Sequence, residues 1–150
     1  MHTGFYKSSN VEKVLSEIRY EDILDKPLKE GSIIWDAWFL LNGCCDIFAA
    51  ELSKEMKYNA YIIEQTNKKG FHVFCQVYKD NNWYYIDVRG ATSDFNEFIN
   101  GIRLFIKSEF IIRKVTDYDI IAWEDGIEDI NITREFALAM IKKYRNYYMI

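Results

Sequence analysis

Three side chains of this chain have the types needed for acyl transfer: the thiol of Cys45, the imidazole of His72 and the carboxylate of Asp87. A free thiol is only a few per cent thiolate near neutrality. A helix N-terminus favours the anion by roughly 0.3–1 kcal/mol, up to about 2 in a buried site, and so shifts a thiol by about one pKa unit. That falls short of a strong nucleophile. A histidine acting as base supplies the remainder, and an aspartate holds the imidazole in the working tautomer. His72 is the only histidine besides His2, and Asp87 is embedded in Tyr85-Ile86-Asp87-Val88, where a charge needs a partner.

These residues need elements to hold them. Asn42-Gly43 interrupts the chain just before the cysteines, since both residues tolerate left-handed backbone angles. Cys45, Phe48, Ala49, Leu52 and Met56 then fall on one helical face, which puts Cys45 in the first turn of a buried helix, where unpaired N–H groups and the dipole favour thiolate. Cys44 lies off that stripe and is the rival nucleophile; Cys75 alternates onto the apolar side of its strand and reads as core. Residues 70–78 and 82–90 read as two strands joined at Lys79-Asp80-Asn81-Asn82. With a two- or four-residue loop there, positions summing to 161 pair. His72, Phe74, Gln76, Tyr85 and Asp87 then share one side of the sheet, with His72 and Asp87 as diagonal neighbours. A three-residue loop without a bulge would move Asp87 to the other side.

Elsewhere, Ser9 or Asn10 caps a helix through Ile18, ended by Asp25-Lys26-Pro27. Residues 31–41 form a short helix or irregular buried segment, and 60–64 a strand. Thr92-Ser93 caps a helix over 94–100 with Gly101 as its stop. Residues 110–115 form a strand, 117–123 about one helical turn, and Thr133 caps a closing helix. The layout is α+β: a helix-rich N-terminal half including the buried cysteine helix, a small antiparallel sheet and a C-terminal helix, in a single domain over 1–150.

Composition narrows the function. A net charge of −4 disfavours a general phosphate-backbone binder, so no nucleic acid is expected. No apolar run approaches a membrane span. Three cysteines without a bridging pattern read as reduced thiols of a cytoplasmic protein. Cys44, Cys45, Cys75 and His72 make a poor zinc set, because adjacent cysteines lack the usual spacer; no metal or organic cofactor is implied.

The pieces Gly43-x-Cys45-x-x-Phe48-Ala49-x-x-Leu52, Gly70-x-His72-x-Phe74 and Trp83-Tyr84-Tyr85-x-Asp87-x-Arg89-Gly90, in that order, resemble the catalytic core of papain-like and transglutaminase-like thiol enzymes. The resemblance spans roughly residues 43 to 90. It implies a cysteine-dependent hydrolase or acyltransferase acting on an amide, isopeptide or thioester bond of a protein or peptide. A non-catalytic interaction module, an inhibitor or a deamidating effector on the same fold is the alternative. Papain-like enzymes carry a glutamine six residues before the cysteine, where this chain has Phe39, which puts proteolysis in doubt. The second oxyanion donor then falls to Asn42, Gln76 or Trp38, and Trp38, Tyr85 and Arg89 are expected around the cleft together with Trp35.

Overall fold

A computed structural model describes residues 1–125 and 130–150 of the chain. In order, the helices and strands are α1 (Val11–Ser16), α2 (Tyr20–Leu24), α3 (Cys45–Met56), β1 (Asn59–Gln65), β2 (Phe71–Lys79), β3 (Asn82–Asp87), β4 (Gly90–Thr92), α4 (Phe95–Asn100), β5 (Phe110–Lys114), α5 (Asp117–Asp125), α6 (Ile130–Lys143) and α7 (Arg145–Tyr148). Short 3-10 turns occupy Gly4–Lys7 and Ala37–Leu40. The architecture is α+β, as the sequence predicts, with α3 packed on a five-stranded antiparallel sheet of order β4-β3-β2-β1-β5.

The β2–β3 hairpin forms in the predicted register. Lys79 pairs with Asn82 and Cys75 with Ile86, around a two-residue turn in which Asp80 and Asn81 take φ of 52° and 66°. Positive φ at both central residues matches the twist of the flanking strands. The ladder stops at Ile86, however. Residues 87–90 turn back to form β4, so His72 and Arg89, expected to face each other, are not paired. The N-terminus extends this border of the sheet: the Thr3 N–H donates to the Ala91 carbonyl and that of Phe5 to the Arg89 carbonyl, both at 2.8 Å.

The central strands are covered on both faces, while Ile111 and Ile112 of β5 stay exposed. Val73, Cys75, Ile86 and Val88 project toward α3 and the C-terminal helices: Cys75 Sγ donates to the Ala49 carbonyl, and Tyr148 Oη donates to the Val88 carbonyl while its ring packs on Phe48. On the opposite face Phe74 and Tyr85 pack against Phe98 of α4, with ring centroids 4.8 and 5.2 Å away.

Four local expectations are corrected. The first predicted helix is two, because Ile18 and Tyr20 instead bond through their backbones to Ala37 and Trp35, which breaks the helix between them. α4 is capped by Asp94, whose side chain accepts from the Asn96 and Glu97 N–H groups, while Thr92 accepts from Asp94 one step earlier. Thr133 lies inside α6, buried. α5 runs well beyond one turn, braced at its start by the Arg113–Asp119 ion pair.

Candidate active site

His72 and Asp87 meet as the shared face predicts. Imidazole Nε2 lies 2.9 Å from Asp87 Oδ2, and both residues are buried. A carboxylate only accepts, so Nε2 carries the proton and Nδ1 is left with its lone pair. Nδ1 has no hydrogen-bond partner among the described residues. The ring lies nearly parallel to those of Phe74 and Phe105, with centroids 6.2 and 6.1 Å away.

Asp87 is held from its other side by Arg89. The Arg89 Nε donates to Oδ1 at 3.0 Å and Nη2 to Oδ2 at 2.7 Å, while the Arg89 backbone N–H also reaches Oδ1 at 2.9 Å. Nη1 donates to the Phe98 carbonyl, and the guanidinium carbon lies 5.0 and 5.2 Å from the Tyr6 and Phe98 ring centroids. Burial alone would raise the Asp87 pKa. The Arg89 charge and the His72 hydrogen bond outweigh it and hold the carboxyl well below the usual carboxylate range. The same pairing keeps Arg89 charged against its own burial. Burial lowers the His72 pKa despite Asp87, so the imidazole rests neutral. Gly101 earns its place here: an added Cβ would lie 2.0 Å from Arg89 Nη1. Gly101 does follow the last residue of α4, as expected, but its φ is −71°, so it is close approach rather than a left-handed angle that calls for glycine.

Cys45 reaches this group by an unusual route. The Gln65 N–H donates to the Gly70 carbonyl, which makes 65 and 70 a hydrogen-bonded pair. Antiparallel alternation then turns the N–H groups of His72 and Phe74 toward β1, and those of Val73 and Cys75 toward β3. Since β3 leaves the ladder beyond Ile86, the Val73 N–H has no strand to bond. Cys45 Sγ accepts it instead, at 3.4 Å. The first turn of α3 thus plugs the gap in the sheet, and the sulfur lies against the peptide link that follows His72. Cys45 also packs on Val73, Ile62 and Ala49, on the face opposite the imidazole ring. The structure therefore bonds the histidine and aspartate to each other, and sets the cysteine beside their strand without a hydrogen bond to the ring.

The dipole's preference for thiolate at Cys45 is outweighed. Burial, followed by the neighbouring Asp46 carboxylate, pushes the Cys45 thiol well above its ordinary pKa. Desolvation of a buried group reaches several pKa units, whereas a helix terminus offers about one. Cys44 is pushed up to about 11, again chiefly by burial, and packs into the main core. Cys75 is core, as expected.

Cys45 lines a cavity of about 680 Å³ between the start of α3, the β1–β2 turn and the connection leading to β5. Of the expected cleft residues, Asn42 lines it. Trp38 and Arg89 border a different cavity, on the side of Tyr6. Gln76 lies near the far end of the sheet, and Tyr85 is packed on Phe95 and Phe98. Trp35 is exposed beside the loop at 28–32. Sequence reading missed Gln65, Asn67, Lys69, Phe105 and Lys107 as cavity residues; Gln65 ends β1 and the others sit in connections with no periodicity to reveal where they converge.

At Gly70 an added Cβ would stand 1.8 Å from the Phe105 carbonyl oxygen, backbone against backbone. Gly70→Ala is therefore expected to lower stability by about 1–3 kcal/mol, as overpacking does, read as a drop in the urea midpoint. An unchanged midpoint would show that the two connections do not touch.

Compared with known proteins, the chain matches no family model, no curated protein and no solved structure.

Proposed function

We propose that the protein is a cysteine-dependent hydrolase or acyltransferase acting on an amide, isopeptide or thioester carbonyl, with Cys45 as nucleophile, His72 as base and Asp87 as orienting residue. The observation that carries this reading is the buried imidazole itself. Its Nε2 is committed to an ionised carboxylate, its Nδ1 is unpaired, and a cavity-lining sulfur bonds the adjoining peptide N–H. A neutral histidine with one unused lone pair is chemically a base awaiting a proton.

Because the thiol rests protonated, sulfur attack and proton transfer must be coupled. As the carbonyl carbon accepts the sulfur, the S–H proton passes to Nδ1, and the carbonyl π electrons become an oxyanion. The Cys45 backbone N–H, at the open end of α3, and the Asn42 amide are the nearest candidates to stabilise it. Collapse expels the amine or thiolate, which takes the proton from the imidazolium, leaving a thioester on Cys45. Water or an amine then attacks with His72 again as base. The ring lies on the other face of β2 from the sulfur, so the first step requires the two to meet through the gap that β3 leaves beyond Ile86.

The test is acylation by p-nitrophenyl acetate. One equivalent of nitrophenolate should appear in a burst, with the acetyl group on Cys45 by peptide mass spectrometry. The burst should vanish in Cys45→Ala, persist in Cys44→Ala, and slow by on the order of 10²-fold or more in His72→Ala. Acetylation no faster than that of cysteine in solution, unaffected by His72→Ala, would refute the reading and leave the interaction module standing.

A further inference from the structure

The cavity beside Cys45 is cationic on a chain that carries net charge −4. Lys69 and Lys107 line it and, among the described residues, no Asp or Glu does. Neither lysine has an ion-pair partner among the described residues, whereas neighbouring Lys68 is paired with Glu64. The two come from different connections, yet one side chain fixes both. Buried Gln65 accepts the Lys107 backbone N–H at 2.6 Å through Oε1, and its Nε2 donates to Asn67 Oδ1 at 2.9 Å. Asn67 Oδ1 in turn accepts the Lys69 backbone N–H at 3.0 Å. Gly70 and Phe105 bring the same two connections into backbone contact. The backbones of the two lysines are thus tied together, and Leu41, Phe71 and Leu104 line the same cavity.

We infer that this cavity takes an acidic peptide segment, with substrate carboxylates between Lys69 and Lys107 and an apolar side chain against Leu41, Phe71 and Leu104. The inference names the substrate class for the reading above and rests on Cys45 being the reacting group. Two lysines lining a cavity that no described carboxylate lines attract an anion and repel a basic segment, and the apolar residues beside them supply contact area that a small inorganic anion would not use. Phe71 and Leu104 are both exposed and line this one cavity, and adjoining exposed apolar groups mark interaction surfaces where single ones do not.

The test separates binding from chemistry by using Cys45→Ala, which cannot be acylated at that position. Acetyl-Leu-Glu-Leu-Glu-Leu-amide and its Leu-Gln-Leu-Gln-Leu counterpart are titrated into labelled protein, following the backbone amide resonances of Gly70 and Lys107. The glutamate peptide should shift those resonances and bind about five- to tenfold more tightly, as two screened surface pairs allow. The preference should fall at higher salt and disappear in Lys69→Gln/Lys107→Gln. Equal response to both peptides, no response to either, or a preference that survives the double substitution overturns the inference. A glutamate preference in a protein whose Cys45 shows no acylation burst would uphold the binding site while removing the catalytic reading. A burst without the preference would do the reverse.

Discussion

Arg89→Ala is expected to destabilise the protein by about 3–5 kcal/mol, the usual consequence of removing one partner from a buried ion pair. The substitution leaves Asp87 buried, supported among the described residues by the backbone N–H at position 89 and by His72 alone. It also strips the Phe98 carbonyl of a donor and empties the space between the Tyr6 and Phe98 rings. Chemical denaturation at neutral pH measures the loss; a change below about 1 kcal/mol would mean the guanidinium is not needed there.

The pH dependence of stability follows from the same group, with both signs alike. The folded-state pKa of His72 is lowered, so the unfolded chain binds its proton first. Stability should begin to fall as pH drops below about 6.5, the ordinary histidine value. Asp87 is also depressed, chiefly because the Arg89 charge overcomes burial; its contribution is complete above about 3.9 and drains away below it. Two successive acid losses are expected, and His72→Phe should abolish the first.

Asp87→Asn should reduce the acylation rate by on the order of 10³–10⁴-fold, comparable to the effect of disabling the aspartate of a serine-protease triad. An asparagine amide cannot satisfy all its neighbours. Oδ1 of the native carboxylate receives Arg89 N–H groups, and Oδ2 receives both Arg89 and His72. Whichever position the –NH2 takes, it confronts an Arg89 donor. If it faces His72, Nε2 must become the acceptor, and the proton moves to Nδ1, the nitrogen that has to receive one from sulfur. Near-ultraviolet circular dichroism establishes that the variant is folded before the burst is timed. A rate within tenfold of the native protein would show that the tautomer does not matter, and Asp87 would then be a structural anion only.

The sheet side of this site could be read directly because strand alternation is a local rule. Asp80-Asn81 turn chemistry sets the register, and the register places His72 and Asp87 on one face without further information. The helix likewise follows from the spacing of Cys45, Phe48, Ala49 and Leu52. Three features escaped for physical reasons. Arg89 reads as an exposed cleft residue, since its burial depends on Tyr6, Phe98 and the bare Cα of Gly101 arriving from distant stretches. The acidity of Cys45 is not legible locally, because the dipole is a property of the helix, whereas desolvation depends on Val73 and Ile62 packing over it. The Gln65–Asn67 clamp unites residues 65 and 107, a pairing across 42 positions that no periodicity signals.

The bond between Cys45 and the Val73 N–H has a consequence for how such a site could diversify. A nucleophile anchored by the main chain keeps its anchor whatever side chain occupies position 73, with proline alone deleting the donor. Relatives could redraw the surrounding apolar contacts and still park the sulfur in the same notch. The anchor would leave no signature letter in their sequences, and a shared strand that ends one pair early would be the trace to look for.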